Sequence, residues 1–159
     1  MRNFKLMTVA AAVLACAALA ACGESEARKE ARAQARRSSC VASELALEAK
    51  ERLASLDTQV VRMQGSPLEQ VTNASHLFAA AYKSYADAKS RAADLADSAA
   101  VARSKNDSVR LAGESQRARP PAPQPGVQQN AAERFEADMR EALANPDHPC
   151  NKQGEDGES

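Results

Sequence analysis

Four cysteines and two histidines carry most of the distinctive side-chain chemistry of this 159-residue chain. Cys16, Cys22, Cys40 and Cys150 offer thiols for acylation, bridging or metal binding, and His76 and His148 offer imidazole nitrogens. A structural zinc site takes about four such groups. Only His148-Pro149-Cys150 brings two together in sequence, and His76 stands alone on a helix, off its apolar stripe and toward water. No metal ligand set is assigned. No G-x-S-x-G, phosphate-cradling glycine loop or H-E-x-x-H occurs, so no catalytic residue is assigned either. Asp87, Asp94 and Asp97 read as the wet face of a helix. The pairs Asp87–Arg91, Glu136–Arg140 and Glu48–Arg52 have the i,i+4 spacing of ordinary surface ion pairs.

The N-terminus is more specific. Arg2 and Lys5 precede an apolar run from Leu6 to Ala21 broken only by Thr8. A short basic region, an apolar stretch and small residues before a cut site describe a secretory signal. The run is shorter than the ~20 residues of a membrane-spanning helix. It leads into Leu19-Ala20-Ala21-Cys22, which resembles the lipobox of bacterial lipoprotein precursors. Cys16 fits that pattern poorly, because Leu14 is bulky where the family has a small residue. The resemblance implies cleavage after Ala21, a diacylglyceryl group on the Cys22 thiol and often a third chain on its new amino group. This covalent lipid is the only cofactor expected. Each buried CH₂ contributes roughly 0.8 kcal/mol, so two or three chains hold a protein on a bilayer durably. In the enterobacterial sorting pattern an Asp after the lipidated Cys favours the inner membrane. Gly23 stands there instead, which points to the outer membrane, facing the periplasm.

Export sets the redox compartment. Cys40 and Cys150 are then an even pair in an oxidising environment, and a disulfide between them is the natural reading. Losing Arg2 and Lys5 with the signal takes a chain of net charge zero to net −2, which gives no reason to expect nucleic acid as a partner.

The elements that must place these cysteines are helical. There is no Trp, and beyond the signal alanine outnumbers Leu, Val, Met, Phe and Tyr together. Alanine is the best helix former and buries little surface. The composition therefore predicts an all-α fold of slender helix contacts, without the thick core that would surround a pocket. Period-two runs of β-branched and aromatic residues are absent. Residues 22–38 are a lipidated tether or the start of helix 1. Residues 39–113 read as a long antiparallel helical hairpin with a coiled-coil-like, Ala-rich seam. On its first arm Ala42, Ala46, Ala49, Leu53, Leu56, Val60 and Met63 step by four and three. Gly65 ends that arm. Ser66-Pro67-Leu68-Glu69 then reads as a capping box with Pro at the first helical position. Val71, Ala74, Phe78, Ala81, Tyr85, Ala88, Ala92, Leu95, Ala99 and Ala102 continue the seam on one unbroken helix over 67–112, stopped by Gly113. Tyr82, on the flank, either widens the core stripe, the commoner case, or faces a partner.

Residues 114–129 form a Pro-rich spacer. Residues 130–150 form a short helix, capped by Asn130 and stopped by Asn145-Pro146, that ends in the Cys clamp. Residues 151–159 read as a disordered acidic tail. An up-down-up path with helix 1 starting near Glu24 brings Cys150 to the level of Cys40. It also sets Phe135, Met139 and Leu143 against Ala99, Ala102, Ala27, Ala31 and Ala35. The function expected of such a chain is non-enzymatic: a lipid-anchored envelope spacer or scaffold that meets a protein partner, or itself, through helix 2. The alternatives are an accessory or exclusion lipoprotein of a secretion or conjugation system, suggested by the tail Pro146-Asp147-His148-Pro149-Cys150-Asn151, and a small-ligand or lipid carrier.

Overall fold

The computed structural model describes residues 26–152. Leu19, Ala20, Ala21 and Cys22, together with residues 153–159, lie outside the described residues. Helices account for most of what is described: α1 (Glu26–Met63), α2 (Glu69–Val101), α3 (Lys105–Ala118), α4 (Val127–Ala144) and the single turn α5 (Pro149–Lys152). No strand occurs among the described residues, and the fold is all-α.

The long form of the first helix is the observed one. The described chain is already helical at Glu26, and the 38 residues of α1 rise about 57 Å. At its end Gly65 takes φ 76°, the left-handed conformation that glycine adopts without a Cβ clash. Ser66 Oγ accepts from Leu68 N at 3.3 Å, and Glu69 Oε2 accepts from Gly65 N at 2.6 Å. The capping residues are therefore those expected, but the turn is longer. Pro67 and Leu68 belong to it, and α2 begins at Glu69.

Contacts between α1 and α2 run in opposite order along the two chains: Asp57 with His76, Ser43 with Ser90, Arg36 with Asp97. The helices therefore lie antiparallel. The face that α2 turns to α1 is not the expected stripe. Tyr82 and Ala86 join the cluster of Ala42, Ala46 and Ala49, Ala79 is buried just before them, and Ser90, Asp94 and Asp97 follow on the same side. The Asp94 carboxylate accepts from the Ser39 hydroxyl, and Asp97 pairs with Arg36 at 3.2 Å. These carboxylates do not line a purely wet face; of the expected seam Val71 and Ala74 stay exposed, while Phe78, Ala81 and Tyr85 pack against the core and Ala88, Ala92 and Ala99 are buried. The physical reason is size. A helix so rich in alanine has small residues on every side, so a polar stripe that can exchange hydrogen bonds competes with a purely apolar one.

The expected unbroken helix over 67–112 is also corrected. The chain leaves α2 after Val101, Ala102 turns extended (ψ 127°), and Ser104 starts α3 by accepting from Asp107 N at 3.1 Å. That Ser-x-x-Asp spacing was the visible signal for a new cap. α3 then doubles back along α2. Ser108 Oγ donates to Ala99 O at 2.9 Å, and Ser115 Oγ donates to Ala92 O at 2.7 Å. Each hydroxyl binds a helix carbonyl, so the two backbones can approach closely. Gly113 lies inside α3, and the helix stops where Pro120 forbids its continuation.

This fold-back replaces the up-down-up path. The extended linker 119–126 passes Ala81, Tyr85 and Ala88, and Gln128 lies beside them, so α4 starts partway up the pair rather than at its far end. Helix α4 opens at Val127, with Asn130 inside it rather than at its cap. Phe135 is fully buried among Ala42, Ala46, Tyr82, Ala86 and Ala131, far from the expected Ala27–Ala35 and Ala99–Ala102. Its ring takes edge contacts from Tyr82 (5.5 Å between centroids) and Tyr85 (5.4 Å). Each such pair contributes about 0.5–1.5 kcal/mol beyond area burial.

Candidate functional site

The cysteines define the best-built site. Cys40 lies within α1 and Cys150 within α5, and the two are joined by a disulfide with their Cα atoms 5.6 Å apart. Local chemistry delivers Cys150 there. The Asn145 backbone N–H closes the end of α4 by donating to Glu141 O at 3.1 Å. Its Oδ1 accepts from Asp147 N at 2.9 Å. Asn151 then folds α5 back on that end, its Nδ2 donating to Ala142 O at 3.0 Å and to Asn145 O at 2.6 Å. Asn151 was read as the start of a disordered tail. It is instead a capping residue, which its position after a Pro-x-x-Pro-Cys turn did not reveal.

Two polar side chains flank the bridge. Glu44 follows Cys40 by one helical turn, and its carboxylate oxygen lies within 4.8 Å of both sulfurs. His148 Nε2 lies 3.4 Å from Glu44 Oε2, while Nδ1 accepts from Cys150 N at 3.3 Å. The imidazole thus sits between the Cys150 backbone and the Glu44 carboxylate. Sequence reading noticed His148 beside Cys150 but missed Glu44. The i,i+4 spacing from Cys40 was the available signal.

A second feature is a groove of about 440 Å³ beside the aromatic cluster, with Leu45, Phe78 and Tyr82 as its apolar wall and Glu48, Arg52, Arg134 and Asp138 around it. The Tyr82 hydroxyl donates to Asp138 Oδ2 at 2.8 Å, and Arg134 Nε lies 3.0 Å from Asp138 Oδ1. Burial, and next the Asp138 hydrogen bond, push the Tyr82 phenol well above its ordinary range. Tyr82 is therefore a core residue with a satisfied hydroxyl, which the commoner sequence reading expected. Tyr85 is raised as well, first by burial, with Lys89 opposing the shift.

No family model, curated protein or solved structure matches this chain.

The remaining candidates sort by their contacts. His76 faces across to α1 and pairs with Asp57 at 2.8 Å, only about a third exposed. Asp87 pairs with Lys83 rather than with Arg91. Glu136 pairs with Lys89, and Arg140 reaches only its backbone oxygen, at 3.1 Å. None of these carboxylates converges with another acid or with a nucleophile on a shared substrate position.

Large apolar side chains lie exposed around the α1–α2 turn and the first turns of α2: Val61, Leu68, Val71 and Leu77, the last 60 % exposed. No described helix is long and apolar enough to cross a membrane.

Proposed function

We propose that this chain is a lipid-anchored, non-enzymatic helical protein of the bacterial cell envelope that acts as a spacer or scaffold and docks a protein partner through α2. Cys22 carries the lipid, and the anchored end faces the periplasm from the outer membrane. The observation that carries the reading is the group of four exposed apolar side chains, Val61, Leu68, Val71 and Leu77, around the α1–α2 turn; Leu47, Val101, Val109 and Val127 are exposed elsewhere. The lipobox lies just before α1, whereas Leu68, Val71 and Leu77 are exposed at the opposite end of that helix. About 57 Å of α1 separates them. An anchor at one end and an apolar tip at the other suit a protein that reaches a partner away from its own bilayer.

Photo-crosslinking in cells from position 77 or 71 tests this. The expected outcome is a defined envelope protein joined to the tip. Crosslinks no richer than those from a charged surface position such as Lys50 would rule out docking there. Cys22→Ala is expected to release the protein from the membrane fraction, and unchanged fractionation would remove the anchor.

A lipid- or small-ligand-carrier reading has one observation in its favour. An open groove of about 720 Å³ has Ala31, Ala35, Ala92, Ala96, Met139 and Leu143 among its lining residues. Mass spectrometry of native protein detects any non-covalent lipid held there. Its absence favours the scaffold.

A further inference from the structure

We propose that the Cys40–Cys150 clamp becomes a zinc site when it is reduced, with the two thiolates and the Glu44 carboxylate as ligands and water in the fourth position. The three ligand atoms already lie within 4.8 Å of one another. Tetrahedral zinc with Zn–S near 2.3 Å and Zn–O near 2.0 Å spaces its ligand atoms about 3.3–3.8 Å apart. Cleaving the disulfide frees the sulfurs to take that spacing, and the exposed Glu44 side chain, already within 4.8 Å of both, can rotate to close the third side.

Two observations indicate that the site survives loss of the covalent bond. First, Cys150 is not held by Cys40 alone. Asn151 ties α5 to the end of α4 through Ala142 O and Asn145 O, and Phe135 packs α4 into the core. Second, Glu44 has an outer partner. His148 Nε2 lies 3.4 Å from Oε2 as an ion-pair contact, while Nδ1 accepts from Cys150 N. Carboxylates that ligate zinc are held in turn by polar groups of an outer shell, the place His148 takes beside Glu44. Cys150 is only 1 % exposed, while the Glu44 side chain is 46 % exposed and leaves the fourth position open to water.

The chemistry balances with a dithiol reductant of the thioredoxin class. Its two thiols supply two electrons and two protons. The Cys40–Cys150 bond breaks to two thiols, and the reductant closes to its own disulfide. Zinc then binds both sulfurs and displaces the two thiol protons to solvent. The clamp therefore has two closed forms, a covalent one under oxidising conditions and a metal-held one under reducing conditions.

The test uses the purified full-length lipoprotein in detergent, with Zn²⁺ and a phosphine reductant, by equilibrium dialysis and metal analysis. Expected is one zinc per reduced chain and none per oxidised chain. Glu44→Gln should weaken binding about tenfold or more, and His148→Ala by a similar or smaller factor. Co²⁺ in place of zinc should give a thiolate charge-transfer band that is absent from the Cys40→Ser, Cys150→Ser double variant. A reduced chain that takes up no stoichiometric zinc overturns the proposal, and so does equal affinity in Glu44→Gln, which would leave only a bare dithiol. Circular dichroism on the same samples covers unfolding. Where reduction lowers helicity, zinc must restore it in the parent, and failure to do so also overturns the site.

Discussion

Two stretches of α1 share one heptad pattern and have opposite fates. Ala42, Ala46 and Ala49 are buried, with Ala42 0 % exposed. Leu53, Val60 and Met63, farther along the same seam, are only half-buried, although each carries far more apolar surface, and Leu56 among them is buried. The difference is the number of neighbours. Around Ala42 and Ala46 the α1–α2 pair is closed by α4, which inserts Phe135 between them and the two tyrosines. Toward the turn, α1 and α2 have only each other. Along this seam the third helix makes burial complete even for alanine, whereas the two-helix end buries Leu56 and leaves its neighbours half-covered.

The largest effect should come from opening the clamped half. The disulfide closes a loop of 110 residues, for which chain entropy gives about 4–5 kcal/mol. Cys40→Ser with Cys150→Ser is expected to lower the denaturant midpoint by a corresponding amount. A much smaller loss would mean that α4 docks without help. Phe135→Ala should cost about 3–5 kcal/mol by the same measurement, because its ring is fully enclosed and the site is lined by alanines that cannot collapse into the space.

Tyr82 gives a pH signature of the same core. Its folded pKa is raised, so the unfolded state ionises first. Above about pH 10 the unfolded chain binds fewer protons, and stability falls as pH rises. Tyr82→Phe should cost about 1 kcal/mol at neutral pH through the lost bond to Asp138. It should also flatten the alkaline decline in a series of denaturation curves. An unchanged decline would assign that pH dependence to another group, such as Tyr85.

The smallest effect is expected at the tip. Leu77→Ser should change stability by less than about 0.5 kcal/mol, because the side chain lies mostly in solvent. If it destabilises as strongly as a core substitution, the two-helix end is better packed than its exposure implies.

Helix content was legible because alanine abundance, capping residues and the absence of strand patterns all act locally. The disulfide was legible because the expected export signal assigns Cys22 to lipid, and that expectation leaves Cys40 and Cys150 as an even pair. The path between the cysteines was not. The seam residues Ala88, Ala92, Ala99 and Ala102 were taken as one continuous stripe, yet Ser104 breaks the helix and Ser108 and Ser115 turn α3 back onto it. Three serines outweighed a regular apolar period because alanines bury so little surface that a few hydrogen bonds to helix carbonyls compete with them. Glu44 was missed for a related reason. Nothing in the sequence separates it from other surface carboxylates until α5 is folded over it.

The sequence by itself determined the helical state of the chain, the turn at Gly65 and the pairing of Cys40 with Cys150. Each of these depends on residues close together or on a choice with one partner. Only the tertiary structure decided which face of α2 meets α1, where α3 folds back, which alanines are buried under Phe135 and which polar groups surround the disulfide. In a chain whose helices present small residues on nearly every side, the apolar period specifies that helices pack but leaves their rotation open, and the large side chains and hydrogen bonds of distant segments select one arrangement.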